Sequence, residues 1–420
     1  MLLVFRSVVS YRSVPRILEL FTSLGYLVFK WIPHFTSVIN WTLRVGLYCL
    51  KQVVPISEPW VAILDYSIDI GTKKAFVVLR VPLRRLSKKG KALGLEDCEC
   101  IGLNISEKTN GEIVQQNLSK IFKKSGDPVA ILKDGGSDLS KGVKLWQDDQ
   151  KKDDVQVLED IGHVMANALK AQFEKSKEFQ KFLEIVRKGS ARLRQTSLAF
   201  LIPPKIRTKG RFQSISQLAK WGKNILAIFR GRGRVKESCA LDRLRKAMPG
   251  FIKLSPFIEK FARITRIVNQ VSKILKNQGF NQKTYRKCKK LAQALPRQSK
   301  VKRRLINWLD KHLYKHKCLG IQKLPLIVSS DVIECLFGKF KHIIERSPIA
   351  DMNKMALMLP ALCGSHSQEN LLEALVGTKH EDIAIWEQNN IPYTLRKRRK
   401  NFRNAAENIG TKNRGIINFV

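Results

Sequence analysis

Residues Trp60 to Leu83, WVAILDYSIDIGTKKAFVVLRVPL, carry two apolar, β-branched runs on either side of a polar connection. Val61-Ala62-Ile63-Leu64 and Ala75-Phe76-Val77-Val78-Leu79, with Gly71 between them, have the pattern of an antiparallel hairpin of buried strands. Asp65 closes the first run. A carboxylate at the end of a buried strand is costly unless a metal ion, a cation or backbone donors receive it. A second apolar strand, Val129 to Leu132, ends the same way at Lys133-Asp134-Gly135-Gly136. Far downstream, Ser329-Ser330-Asp331-Val332-Ile333-Glu334 opens an apolar-striped helix with a third carboxylate.

The order of elements around these runs restricts the fold. Glu99 to Ile105 reads as a third strand. Asn110-Gly111-Glu112 starts a helix that runs through Val114, Leu118, Ile121 and Phe122 and stops at Ser125-Gly126-Asp127-Pro128. Ser137 to Gly142 begins a short helix, Val155 to Leu158 gives a fifth strand, and His163 to about Phe182 gives a long helix. The sequence β-β-β-α-β-α-β-α is that of an α/β, RNase H-like fold: a mixed five-stranded sheet with flanking helices.

Before it, residues 1–58 read as helical, with one helix from Val14 to Phe21 and another from Thr36 to Gly46. They suit a helix-turn-helix domain with Asn40, Thr42 and Arg44 on polar positions; a small helical bundle without DNA contact is the alternative. Pro55 and Pro59 mark its end. The expected division is therefore 1–58 for this domain and 59–189 for the first part of the sheet domain. A basic all-α insertion over 190–325 follows, then 326–378 for the remainder with the Glu334 helix, and 379–420 as a basic tail. Arg84 to Lys91 reads as a basic loop, Leu326-Ile327-Val328 as a brief strand, and Met352 to Leu362 as a core helix.

Charge points to the partner. The 420 residues include 77 Lys and Arg against 35 Asp and Glu, a formal net charge of +42. Such an excess favours a polyanion, nucleic acid first and an anionic membrane surface second. Asn281 to Arg304 holds ten basic residues, Lys289, Lys290, Arg303 and Arg304 among them, and no acid. Like charges without counter-charge repel, so a bound polyanion accounts for this stretch better than a solvated face. Arg230-Gly231-Arg232-Gly233-Arg234 carries the same implication. Arg396-Lys397-Arg398-Arg399-Lys400 is either a disordered charge run or a segment that tracks phosphates.

Other classes lack their signatures. With 44% hydrophobic residues the chain is globular, and its eight scattered cysteines read as reduced thiols. No run approaches the length of a membrane span, and the N-terminus, broken by Arg6, Arg12 and Arg16, is not a signal peptide. A soluble, cytoplasmic protein is expected. There is no Walker A loop, no GxSxG and no HExxH. His312-x3-His316-x-Cys318 lacks a fourth zinc ligand, and Cys98-x-Cys100 reads as a pair of buried thiols.

Together, ILDYSIDIG with Asp65, AILKDGGSDLSKGV with Asp134 and SSDVIECLFGKFK with Glu334 resemble the DDE transposases of bacterial insertion sequences. Asp134 lies 69 residues after Asp65 and Glu334 a further 200 on, a spacing similar to that of members with an insertion domain before the final Glu. Glu334-x6-Lys341 repeats half of the tyrosine-arginine-glutamate-lysine signature of one group; Ile327 and Ser330 stand where its Tyr and Arg would be.

The resemblance implies a DNA transposase that cuts and joins element ends. Asp65, Asp134 and Glu334 would be the catalytic residues, holding two Mg²⁺ or Mn²⁺ ions. Lys341 would contact end phosphate, and Lys339, Arg44, Arg232, Arg234, Lys289, Lys290, Arg303 and Arg304 would also contact DNA. It further implies double-stranded terminal repeats and target DNA as partners, a homodimer on DNA, no membrane, and a bacterial, nucleoid-associated location. Each carboxylate has a rival reading. Asp65 could cap the hairpin turn, with Asp69 as the ligand. Asp134 could be a turn residue beside Asp138, and Glu334 could close a capping box. A transposase-derived DNA-binding protein without catalysis, or a basic RNA-associated protein, are the remaining functional alternatives.

Overall fold

The computed structural model describes residues 1–7, 9–67, 73–205, 212, 215–231, 239–321, 324–344, 351–391 and 393–411. The chain begins with α1 (Leu2–Arg6), α2 (Ser13–Ser23) and α3 (Phe35–Lys51), then β1 (Trp60–Tyr66), β2 (Lys74–Pro82), α4 (Leu83–Lys89) and β3 (Glu99–Ser106). It continues with α5 (Gly111–Ser125), β4 (Ala130–Lys133), α6 (Ser137–Gln150) and β5 (Gln156–Glu159). Helices follow: α7 (Ile161–Phe173), α8 (Lys177–Leu193), α9 (Ile215–Phe229), α10 (Ala240–Ala247), α11 (Ser255–Gln278), α12 (Gln282–Gln293) and α13 (Lys300–Cys318). The last five are α14 (Asp331–Ile344), α15 (Met358–Ala361), α16 (Gln368–Gly377), α17 (His380–Asn390) and α18 (Leu395–Thr411).

The strands form one sheet in the order β3-β2-β1-β4-β5. β1 and β2 pair antiparallel from Trp60↔Pro82 to Tyr66↔Phe76, and β2 and β3 pair antiparallel with a bulge between Val78 and Leu79. β4 joins β1 in parallel, Val61↔Ala130 to Leu64↔Lys133. This is the α/β, RNase H-like arrangement that the sequence pattern implies. Val61 to Leu64 are fully buried, which is why the run shows no polar alternation: a central strand is covered on both faces.

The chain forms two compact units. The first comprises Met1–Arg85, Leu93–Val155 and Ser330–Val420; the second comprises Leu86–Ala92 and Gln156–Ser329. Residues 1–58 fall in the unit that carries β1 to β4. α3 packs against β3, α15, α16 and α17. Thr42 is fully buried and donates to the Val38 carbonyl at 2.9 Å. Gly46 approaches the Leu357 carbonyl so closely that any Cβ would collide with it.

In the same unit, Arg80 on β2 is almost fully buried and donates to Glu99 Oε2 at 2.9 and 2.6 Å and to the Val54 carbonyl at 2.6 Å. Lys73 Nζ lies 3.5 Å from Asp351 Oδ1, both side chains being under a tenth exposed. The other oxygen of Asp351 accepts from Leu395 N at 2.6 Å, which fixes the start of α18.

Several expected segments take other forms. Residues 83–89 are helical as α4, where a basic loop was expected, and α6 continues to Gln150. The helix expected from His163 to Phe182 divides at Ser176, whose hydroxyl accepts from Phe179 N at 3.2 Å and starts α8. Leu326 makes a single bridge with Phe280 in place of a strand. Lys354–Leu357 is a 3₁₀ turn leading into the four-residue α15, and the tail expected after 379 forms α17 and α18. Among the described residues no helix is long and apolar enough to cross a membrane.

The second unit has an aromatic core in which Phe173, Phe179, Phe182 and Phe261 meet at ring separations of 4.9 to 6.3 Å. Beside it, His312 is fully buried and stacked on Trp308 at 3.9 Å. Its Nδ1–H donates to the Trp308 carbonyl at 2.8 Å, and its Nε2 accepts from Glu159 N at 3.3 Å. His316 bonds the Leu324 carbonyl at 3.0 Å, and Cys318 is exposed. Backbone groups therefore satisfy both imidazoles of the His-Cys cluster.

Two stability predictions follow from the buried His312 and from the buried pair of Lys73 and Asp351. Burial pushes the His312 imidazole down to about 3, so the native state keeps it neutral where the unfolded chain takes up a proton. Stability therefore declines as pH falls below the ordinary histidine range, with a slope of up to about 1.4 kcal/mol per pH unit from this group. Urea unfolding at several pH values should show this slope flattened in His312→Gln. Lys73→Met should cost about 3–5 kcal/mol by stranding a buried carboxylate, and Lys73→Met combined with Asp351→Asn should recover part of it. Urea midpoints of the three proteins check this.

Candidate active site

The parallel register of β1 and β4 builds the site. Leu64 pairs with Lys133, so one residue further along each chain stand Asp65 and Asp134. Backbones of paired strands run about 4.8 Å apart, which brings the two carboxylates to one end of the sheet as neighbours. Both are half-buried. Asp65 Oδ1 accepts from Tyr66 N at 2.7 Å, and Asp134 Oδ1 accepts from Gly136 N at 2.8 Å. The second bond closes an Asx turn that leads into α6, and a Cβ on Gly136 would meet that same oxygen at 2.9 Å.

Lys133 holds the turn from beneath. It is 8% exposed, and its Nζ donates to Ser140 Oγ at 2.7 Å and to the Asp134 carbonyl at 3.3 Å. Tyr66 packs on Phe76 with rings 5.0 Å apart. Burial, and next the negative charge of Asp138, push its hydroxyl up to about 12. Asp138 accepts from the Thr109 hydroxyl at 3.0 Å. Neither Lys133 nor Tyr66 stands out in the sequence, because their roles depend on partners that only folding brings near. The rival Asp69 lies outside the described residues.

Glu334 stands in the first turn of α14, with its N–H directed at the Ser330 carbonyl at 3.3 Å. Val332, Ile333, Leu336, Phe337 and Phe340 form the buried face of α14, which packs on β1. Glu334 is exposed. Lys341 follows it by two turns on the same face, and Lys339 is half-exposed.

Asp65 and Asp134 are hard oxygen donors of the kind that hold Mg²⁺ through one or two carboxylates, water and substrate phosphate. Among the described residues no group of three or more His, Cys, Asp or Glu side chains stands ready to hold a metal. The pair thus fits a divalent ion by its chemistry, and among the described residues Glu334 completes no three-ligand set with it.

The basic residues expected to touch DNA divide into two groups. Arg44 is drawn inward, where it donates to the Thr378 carbonyl just past α16 at 2.5 Å and to the Leu375 carbonyl in the last turn of α16. Lys289 is 3.2 Å from Asp310 Oδ1 and donates to the Tyr285 hydroxyl at 2.5 Å, contacts that raise its pKa, the Tyr285 bond first. Arg304 is exposed and bonds the Asn167 carbonyl at 3.0 Å. Lys290 on α12 and Arg303 on α13 are exposed and have no acidic partner among the described residues. Arg232 and Arg234 lie outside the described residues. His163, at the start of α7, pairs with Asp160, whose Oδ1 lies 3.2 Å from the imidazole Nδ1 and accepts from the His163 backbone N–H at 2.7 Å.

No protein-family model matches the chain, and no curated protein matches it. Among solved structures, the Drosophila P element transposase strand transfer complex aligns with 85% of this chain and 99% of that chain, at 12% identity and a TM-score of 0.40.

Proposed function

We propose that the protein is a DNA transposase of the DDE type, which cleaves DNA strands at element ends and joins them to a target. The observation that carries this is the parallel register that sets Asp65 beside Asp134 at the end of an RNase H-like sheet. The net charge of +42 supports a polyanionic substrate. Asp65 and Asp134 would hold the reacting phosphate's counter-ions on rigid strand ends, where a site keeps its geometry best. Glu334, carried on a helix anchored to β1, is the third member and enters by a change of side-chain position. Two Mg²⁺ or Mn²⁺ ions, when bound, supply activation of the attacking oxygen and stabilisation of the leaving one. Lys341 and the exposed cations Lys290 and Arg303 contribute phosphate contacts.

A second reading, a transposase-derived DNA-binding protein without catalysis, is favoured by the exposed position of Glu334, which joins no three-ligand group among the described residues. The decisive experiment is strand cleavage on duplexes carrying the element ends, with Mg²⁺ or Mn²⁺, by the wild type, Asp65→Asn and Glu334→Gln. The catalytic reading expects cleavage by the wild type and a loss of at least about 100-fold in each variant, with DNA binding retained. Salt-sensitive binding without cleavage in all three establishes the second reading instead. Cleavage that survives Glu334→Gln removes Glu334 from the site.

A further inference from the structure

α18 and the segments facing it enclose a cleft of about 1190 Å³ in the first unit. Six cations line it: Lys354, Arg396, Lys397, Arg399, Lys400 and Arg403. The five from α18 are exposed and have no acidic partner among the described residues, whereas their neighbour Arg398 is paired with Glu107 at 2.8 Å. The two acids in the lining are already engaged. Asp351 faces Lys73 and accepts from Leu395 N, and Glu387 Oε1 accepts from Lys354 N at 3.0 Å. A concave surface with five cations on one helix that no acid among the described residues neutralises is electrostatically unfavourable by itself and is relieved by a polyanion.

The helix is held in place to receive one. Its first turn is bonded to Asp351, and Asp351 is tied to Lys73 at the start of β2, the partner strand of the one that carries Asp65. Arg396, Lys400 and Arg403 follow at i, i+4 and i+7, a single face along the cleft. We propose that this cleft is a sequence-independent clamp for the phosphate backbone of duplex DNA, with α18 as its basic wall. The proposal rests on the reading that DNA is the substrate and assigns a surface that this reading leaves open.

The test measures binding of the full chain to an unrelated-sequence duplex across a range of salt concentrations. Replacing Arg396, Lys397, Arg399 and Lys400 together by Gln, which keeps helix propensity, should weaken binding about tenfold or more and reduce the salt slope by about three to four. Arg398→Gln, which removes a cation already neutralised by Glu107, should leave the slope unchanged. Equal slopes in the wild type and the fourfold variant overturn the clamp while leaving the DNA reading standing. If the wild type fails to bind duplex at all, the functional reading falls and the clamp with it. A slope that drops only for single-stranded RNA also overturns the assignment to duplex DNA.

Discussion

The backbone ladder between β1 and β4 is the constraint on which the candidate site depends. Parallel strands cannot be joined by a tight turn, so the chain between β1 and β4 must supply a crossover. Here it supplies β2, β3 and α5, and the return through β4 sets the register Leu64↔Lys133. A slip of one residue would turn Asp134 away from Asp65 and send Lys133 out of its pocket against Ser140. The apolar residues of both strands prevent such a slip, since it would also expose a fully buried face.

Much of this was legible in the sequence. Unbroken apolar runs give β1, β2 and β4 directly, because strands covered on both faces need no polar alternation. Asn110 and Ser125-Gly126 bracket α5 within a residue of its observed ends, since caps act locally. Where the chain's form depends on distant partners, the sequence is silent. Arg44 looked like a surface cation on an amphipathic helix, yet its guanidinium caps carbonyls of Leu375 and Thr378. Residues 84–91 read as a loop because their charges mask the short helix over 83–89, and residues 395–411 are helical although their composition suggests a tail.

The candidate site shows the same division. The two aspartates at strand ends are a local pattern, whereas the burial that raises the Tyr66 hydroxyl and the bond from Lys133 to Ser140 arise only in the folded state. Glu334 was placed correctly at a helix start, but no local signal fixes which way an exposed side chain in a first turn will point. The buried histidines of the second unit carry the converse lesson. The His312-x3-His316 spacing, which lacks a fourth zinc ligand in the sequence, belongs to imidazoles bonded to backbone groups, one of them stacked on Trp308.

The seat of α3 also has a consequence for how the chain comes to be made. Arg44 awaits a carbonyl 334 residues later, and Gly46 awaits Leu357. The second unit, Gln156–Ser329, leaves the ribosome before those partners do. Domains generally fold as units while synthesis proceeds. The first hundred and fifty residues must therefore remain without their closing helices while the intervening unit is completed. The order of emergence thus makes the unit that begins first the one that finishes last, with its apolar α3 surface open to chaperones until the final helices arrive.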